Sequence, residues 1–91
     1  MAPSQDLKLA CAGDASGPSI RCTWASSTNP RFDYFLLTRH TGDGPIVVVY
    51  RGKDLAFTDP SRVGAHLFYD VTEYANDGTV HGTGHAEVTC C

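Results

Sequence analysis

The sequence lacks any long hydrophobic run and any excess of positive charge. Its longest apolar stretch, from Ile46 to Tyr50, is far shorter than the roughly 20 residues that a helix needs to cross a bilayer. Seven basic and ten acidic residues give a net charge of −3, which disfavours nucleic acid and anionic membrane surfaces as partners. We therefore expect neither nucleic-acid binding nor membrane insertion.

Motifs of the common catalytic sites are also missing: there is no Gly-x-Ser-x-Gly, no His-Glu-x-x-His and no phosphate-binding loop. Asp70 and Glu73 fall on opposite faces of one predicted strand, so they cannot form a pair of catalytic carboxylates. His81 and His85 are four residues apart, which is about 13 Å on a strand and too far to share one metal ion. We therefore predict no enzymatic activity, no catalytic residues, no cofactor and no metal site.

What the sequence does contain is a pattern of side chains with a period of two. It is clearest between residues 64 and 74, where Leu67, Tyr69 and Val71 alternate with Phe68, Asp70 and Thr72. A period of two is typical of a strand with one buried face. The residues Asn76-Asp77-Gly78 then tolerate the positive φ angles of a hairpin turn.

Seven such segments are separated by turn signals, and they alternate or are rich in β-branched and aromatic residues. They are Gln5–Cys11, Ser19–Ala25, Phe32–His40, Ile46–Arg51, Leu55–Thr58, Gly64–Tyr74 and Thr79–Cys90. Regular short strands predict an all-β, seven-stranded antiparallel sandwich. The length of 91 residues predicts that 1–91 forms one domain.

Four cysteines lie near the ends of the predicted strands: Cys11, Cys22, Cys90 and Cys91. An even number in so short a chain favours disulfides and an oxidising compartment. Four cysteines allow three pairings, and the sequence alone does not choose among them. Reduced thiols and a zinc site are the alternatives, although no Cys-x-x-Cys pair of the usual zinc spacing is present.

The order of several residues along the chain resembles that of a fibronectin type III domain. The resemblance rests on Trp24, Tyr34, Phe57-Thr58-Asp59, Gly64-x-x-Leu67-x-Tyr69-x-Val71 and Gly84-x-x-Glu87-Val88-Thr89. It implies an immunoglobulin-like sandwich of fibronectin type III type. Two positions depart from the family: Leu67 stands where a tyrosine is usual, and Glu73 where a small apolar residue is usual. Cys22-Thr23-Trp24 after Cys11 also resembles the first disulfide of cytokine-receptor sandwiches.

The topology that this resemblance implies gathers all four cysteines at one pole of the sandwich. The end of the first strand, the start of the second and the end of the seventh meet there. We therefore expect Cys90 and Cys91 to form disulfides with Cys11 and Cys22, whereas a bond between the adjacent Cys90 and Cys91 would be strained.

The outward side chains of the central strands are the candidate binding surface. If Tyr34 and Leu36 point inward with Tyr69 and Val71, the residues that point outward are Phe35, Leu37, Arg39, Phe68 and Tyr74. An exposed patch of aromatic residues and arginine is typical of a partner surface.

The expected function is that of a secreted or extracellular binding or spacer module with no catalytic activity. The partner is expected to be a protein, with carbohydrate as an alternative. A second hypothesis is a small secreted inhibitor or effector, stapled by disulfides, that blocks a hydrolase or receptor through its loops.

Overall fold

The computed structural model describes residues 5–60 and 64–91 and shows eight strands and no helix in them. No segment of these residues is a helix suited to crossing a membrane. The strands are β1 (Gln5–Asp6), β2 (Ala10–Asp14), β3 (Ser19–Thr23), β4 (Phe32–His40), β5 (Val47–Gly52), β6 (Ala56–Pro60), β7 (His66–Ala75) and β8 (Val80–Thr89). The prediction of an all-β fold is confirmed.

Two sheets form the sandwich. The larger sheet has the order β1-β8-β7-β4-β5, and the smaller sheet has the order β2-β3-β6. Neighbouring strands are antiparallel except β1, which runs parallel to β8. The long central stretch is β7, which pairs with β4 on one side and β8 on the other.

The eighth strand arises because the predicted first strand is divided between the two sheets. Gln5 and Asp6 pair with β8, whereas the chain from Ala10 onward pairs with β3. The chain crosses over at Lys8, whose φ of 52° is unusual for a residue with a side chain. The Lys8 amide donates to the Asp6 carboxylate at 2.9 Å, which supports this local turn.

The predicted hairpin between β7 and β8 is present. The Gly78 amide donates to the Ala75 carbonyl at 3.0 Å, and the Ala75 amide donates to the Thr79 carbonyl at 2.9 Å. Gly78 has a φ of 86°, a conformation that glycine adopts without steric cost. The Asp77 carboxylate accepts from the Thr79 hydroxyl and amide, and these bonds hold its pKa below the usual range.

The inward faces of the two sheets bury one apolar core. The larger sheet contributes the side chains of β4 and β7 that pair across the strands, and the smaller sheet contributes mainly β3. The buried residues of the core are Leu7, Leu9, Ile20, Cys22, Trp24, Phe35, Leu37, Leu67, Tyr69, Val71 and Cys90. The inward orientation predicted for Tyr69 and Val71 is therefore confirmed.

The orientation predicted for β4 is wrong. Phe35 and Leu37 are buried, with 1% and 0% of their surface exposed, because they lie opposite the inward residues Glu73 and Val71 of β7. Tyr34 and Leu36, which we expected in the core, are the half-buried residues that point outward.

The predicted cysteine pairing is also wrong. The disulfides are Cys11–Cys22 and Cys90–Cys91. Cys11 and Cys22 are direct partners across the β2–β3 ladder, with Cα atoms 4.1 Å apart, so the register of the hairpin favours this bond. The sulfur atoms of Cys90 and Cys91 both lie near the carbonyl of Ser19. The pair therefore packs beside β3 but forms no disulfide with Cys22 of that strand.

Candidate functional site

The side of the larger sheet that faces away from the core carries a dense set of aromatic and ionisable side chains. We call it the outer face. It consists of Tyr34, Leu36 and His40 on β4, Arg51 on β5, His66, Phe68, Asp70 and Tyr74 on β7, and His85 and Glu87 on β8. Most of these side chains are half-buried or exposed, in contrast to the closed interior.

One end of the outer face is a stack of three side chains. The rings of Tyr34 and Tyr74, which lie opposite one another in the β4–β7 ladder, stack with centroids 5.1 Å apart and planes inclined by 21°. The Arg51 guanidinium carbon lies 4.3 Å from the Tyr34 ring centroid, within the range of a cation–π interaction. Tyr34 is thus enclosed by Tyr74 and Arg51.

The other end is built around Phe68. His40 stacks on the Phe68 ring with centroids 5.0 Å apart, and His66 meets it edge to face at 5.2 Å. The three side chains belong to two neighbouring strands, in which His40 and Phe68 are register partners. The ring of Phe68 is therefore partly covered, and the side chain is half-buried.

Two imidazole–carboxylate pairs follow along β7 and β8. His85 Nδ1 lies 2.8 Å from Asp70 Oδ1, and His66 Nε2 lies 2.7 Å from Glu87 Oε2. Both pairs are largely exposed, so each contributes little to stability. Residues 5–60 and 64–91 contain no group of three side chains able to hold a metal ion, and His81 bonds to Thr79 instead of joining His85.

The structure divides the five predicted surface residues into two groups. Phe68 and Tyr74 lie on the outer face, whereas Phe35, Leu37 and Arg39 point into the space between the sheets. The prediction missed Tyr34 and Arg51.

The outward position of Arg51 could have been inferred only from the β4–β5 register, in which Arg51 lies opposite Leu36. The sequence carries no separate signal for that register.

Arg39 has a structural role between the sheets. Its guanidinium donates to Asp59 Oδ2 at 2.6 Å, and the buried Tyr69 hydroxyl donates to the same oxygen at 2.6 Å. Asp59 belongs to β6 and the other two residues to β4 and β7, so the cluster joins the two sheets. Burial, followed by the hydrogen bond to Asp59 and its charge, raises the pKa of Tyr69, and the hydrogen bond that Arg39 donates to Asp59 raises the pKa of Arg39.

A second carboxyl group lies inside the sandwich. Glu73 is fully buried, and its Oε2 accepts from the Ser27 hydroxyl at 2.7 Å, while Oε1 has no hydrogen-bond partner among the described residues. Its burial could have been found from the sequence, because Glu73 continues the inward phase of Leu67, Tyr69 and Val71.

Two connecting segments contact each other at the end of the sandwich where β7 turns into β8. The Asn76 amide donates to the Arg31 carbonyl at 2.8 Å, and the Arg31 guanidinium lies 3.9 Å from the Asp77 carboxylate. The loop before β4 and the β7–β8 turn therefore form one edge of the sandwich.

No family model matches the sequence, and no curated protein matches it either. Solved structures do match. A Fn3-like protein from Clostridium thermocellum is 22% identical over 91% of this chain and 85% of that chain, with a TM-score of 0.66. The sixth fibronectin type III domain of human fibronectin type III domain containing protein 3 is 14% identical over 99% and 89%, with a TM-score of 0.73.

The chain has a fibronectin type III-like fold. The pectate lyase Pel3 from Pectobacterium carotovorum also contains a matching region, 14% identical with a TM-score of 0.70, which covers 96% of this chain and 27% of that chain. At these identities the similarity establishes the fold and assigns no partner or activity. The fibronectin type III-like sandwich has the two departures noted above: Leu67 is a buried apolar residue, and Glu73 is a buried carboxyl.

Proposed function

We propose that the protein is an extracellular binding module, with no catalytic activity of its own, that holds a protein partner on its outer face. The observation that carries this proposal is the stack of Arg51, Tyr34 and Tyr74 on an open side of the larger sheet. Tyrosine and arginine are enriched among the residues that dominate the energy of protein interfaces. Rings that are already stacked lose little side-chain entropy when a partner covers them.

The arrangement favours a protein over a carbohydrate. Sugar rings bind aromatic residues by lying flat on an open ring face. The Tyr34 ring is flanked by Tyr74 and Arg51, and the Phe68 ring by His40 and His66. These rings therefore offer edges and mixed polar groups, which suit a protein surface better than a sugar.

The extracellular setting is supported by the disulfides. Cys11–Cys22 links neighbouring strands inside the sandwich, and such bonds persist in oxidising compartments. A non-reducing peptide map of the exported protein is expected to show this bond. Recovery of Cys11 and Cys22 as reduced thiols would contradict the extracellular assignment.

The binding proposal is tested with the immobilised protein and the extracellular fraction of its own source. Arg51→Glu is compared with Arg21→Glu, since Arg21 is an exposed strand arginine on the smaller sheet. We expect one protein to be retained by the wild type and by Arg21→Glu, with affinity for Arg51→Glu lowered at least about tenfold, or about 1.4 kcal/mol. Equal melting temperatures of the two variants would show that both are folded.

Two results would overturn the proposal. If no protein is retained specifically, the chain acts as a spacer and not as a binding module. If Arg51→Glu and Arg21→Glu bind the retained protein equally well, the partner does not use the outer face.

The second hypothesis, a secreted inhibitor that acts through its loops, is favoured by the edge that Arg31 and Asn76 form together. The same experiment separates the two hypotheses with Arg31→Glu as a third variant. An inhibitor would lose a hydrolase or receptor with Arg31→Glu and keep it with Arg51→Glu.

A further inference from the structure

The free edge of the larger sheet carries an apolar strand that nothing in residues 5–60 and 64–91 covers. Strand β5 pairs with β4 on one side, and its other side is the end of the sheet. Ile46, Val47 and Val48 are 70%, 44% and 57% exposed there. We propose that β5 of one molecule pairs antiparallel with β5 of a second copy, which joins the two larger sheets into one.

A free strand edge offers unpaired backbone N–H and C=O groups, and native proteins usually protect such an edge with charge, proline or a short strand. Two of the other edge strands show this protection. Strand β6 contains Pro60 and the inward carboxylate Asp59, and β1 is two residues long. In contrast, the run from Ile46 to Tyr50 contains neither a charge nor a proline, and the nearest ones are Pro45 before it and Arg51 after it.

Among the described residues, the exposed large hydrophobic side chains are concentrated at this edge. Five large hydrophobic residues of the described chain are exposed, and three of them are consecutive in the run that enters β5. The other two, Leu55 and Val80, lie apart from it in the sequence. Scattered exposed residues are normal, whereas a contiguous apolar strand marks an interaction site.

The charges on either side of the apolar run select the second copy and the antiparallel direction. Asp43 precedes the run, and Arg51 and Lys53 follow it, with Asp54 beyond them. Asp43 and Lys53 lie just outside the two ends of β5, so antiparallel pairing about a two-fold axis near Val48 brings Asp43 of one copy close to Lys53 of the other. Parallel pairing would set like charges opposite each other, which is unfavourable.

The pairing also limits the assembly to two copies. The same strand is used twice about a two-fold axis, so the interface is isologous and yields a dimer without further growth. A bulge between the partners of Leu37 and Thr38 in β4 falls within β5 and twists the edge, which keeps the paired segment short. A contact of this size belongs to the weak, transient class of interface.

The first test is sedimentation equilibrium of the wild type from micromolar to millimolar concentration. We expect the mass to rise from 9.8 kDa towards twice that value with increasing concentration. Val48→Lys is expected to raise the dimer dissociation constant at least about tenfold. Val80→Lys is the matched control, because Val80 is 47% exposed on β8, and it should leave the dissociation constant unchanged.

The second test addresses the direction of pairing. Asp43→Lys and Lys53→Asp each place like charges opposite each other, so each is expected to weaken the dimer. The double variant restores an opposite pair and should recover the wild-type dissociation constant. Loss of the effect at high salt would agree with an exposed charge pair.

Three results would overturn the inference. They are a mass that stays at 9.8 kDa at every concentration, a dimer that Val48→Lys leaves intact, and a double charge variant that remains as weak as the single ones. None of these substitutions replaces Arg51, Tyr34 or Tyr74, so failure here is distinguishable from failure of the proposed outer-face function.

Discussion

The sandwich encloses two carboxyl groups, Asp59 and Glu73, in different ways. One Asp59 oxygen accepts from both the Tyr69 hydroxyl and the Arg39 guanidinium, each at 2.6 Å. One Glu73 oxygen accepts from the Ser27 hydroxyl at 2.7 Å, and the other has no partner among the described residues. Asp59 thus has two donors, of which one is a cation, whereas Glu73 has one neutral donor.

The difference shows that one buried carboxyl group can link the two sheets, whereas another makes only a local hydrogen bond to a neighbouring loop. The Asp59 cluster links the two sheets, because its members come from β6, β4 and β7. Glu73 connects β7 to the nearby Ser27 loop. Removing one member of a satisfied ionic cluster leaves the others unpaired, whereas replacing a poorly satisfied group by an apolar one can be neutral.

Asp59→Ala should have the largest effect. It leaves the Tyr69 hydroxyl and the Arg39 guanidinium without their shared acceptor, so we expect the free energy of unfolding to fall by about 3 kcal/mol. Arg39 is 29% exposed, and water there limits the loss. Urea denaturation measures it, with Asp70→Ala as the control, since Asp70 pairs with His85 at the surface. Equal losses for both variants would contradict a special role for Asp59.

Gly82→Ala should be the next largest. A Cβ at Gly82 would lie 2.9 Å from Glu73 Oε1 and 3.2 Å from the Gln5 carbonyl oxygen, and the backbone of β1 cannot move away easily. We expect a loss of about 2 kcal/mol. Gly42→Ala is the control, because a Cβ there meets nothing within 4 Å. A melting temperature unchanged by Gly82→Ala would mean that the Glu73 side chain moves aside freely.

The sequence predicts which face of β7 is buried, but it does not predict which face of β4 is buried. In β7 the outward positions include Asp70 and Thr72, so alternation fixes which face is buried. In β4 the run Tyr34-Phe35-Leu36-Leu37 is apolar in both phases, and a one-residue shift exchanges its two faces. The choice comes from the ladder with β7, which is a long-range contact.

The residues of the candidate site that lie on β7 could be predicted from the sequence, whereas those on β4 and β5 could not. Phe68 and Tyr74 follow from the phase of β7, whereas Tyr34 depends on β4 and Arg51 depends on the β4–β5 register. The Cys11–Cys22 disulfide likewise depends on the β2–β3 register, which sets these two residues opposite each other, although the resemblance to cytokine-receptor sandwiches also pointed to this pair. Nothing in the sequence near Lys8 indicates that the chain changes sheets there.

Tyr69→Phe should have a smaller effect than Asp59→Ala, and the effect should depend on pH. The variant loses one donor to Asp59, which lowers the free energy of unfolding by about 1 kcal/mol at neutral pH. Burial and the neighbouring Asp59 raise the pKa of Tyr69 in the folded state. Its contribution is therefore complete below the unfolded tyrosine pKa of about 10 and is lost as the pH rises above that value.

Urea denaturation of the wild type and Tyr69→Phe across this range is the measurement. The gap between them is expected to be constant from neutral pH to about pH 9 and to narrow above about pH 10. A gap that widens at high pH would show that the tyrosinate is stabilised in the folded protein, contrary to its buried position beside a carboxylate.

Glu73→Leu should have the smallest effect, although Glu73 is the more deeply buried carboxyl. The substitution removes an oxygen that already lacks a described partner and fills the space with an apolar group of similar volume. The Ser27 hydroxyl loses its acceptor but still accepts from the Asn29 amide at 3.0 Å. We expect a change in the free energy of unfolding within about 1 kcal/mol of zero. A loss as large as that of Asp59→Ala would mean that Glu73 is as strongly held as Asp59.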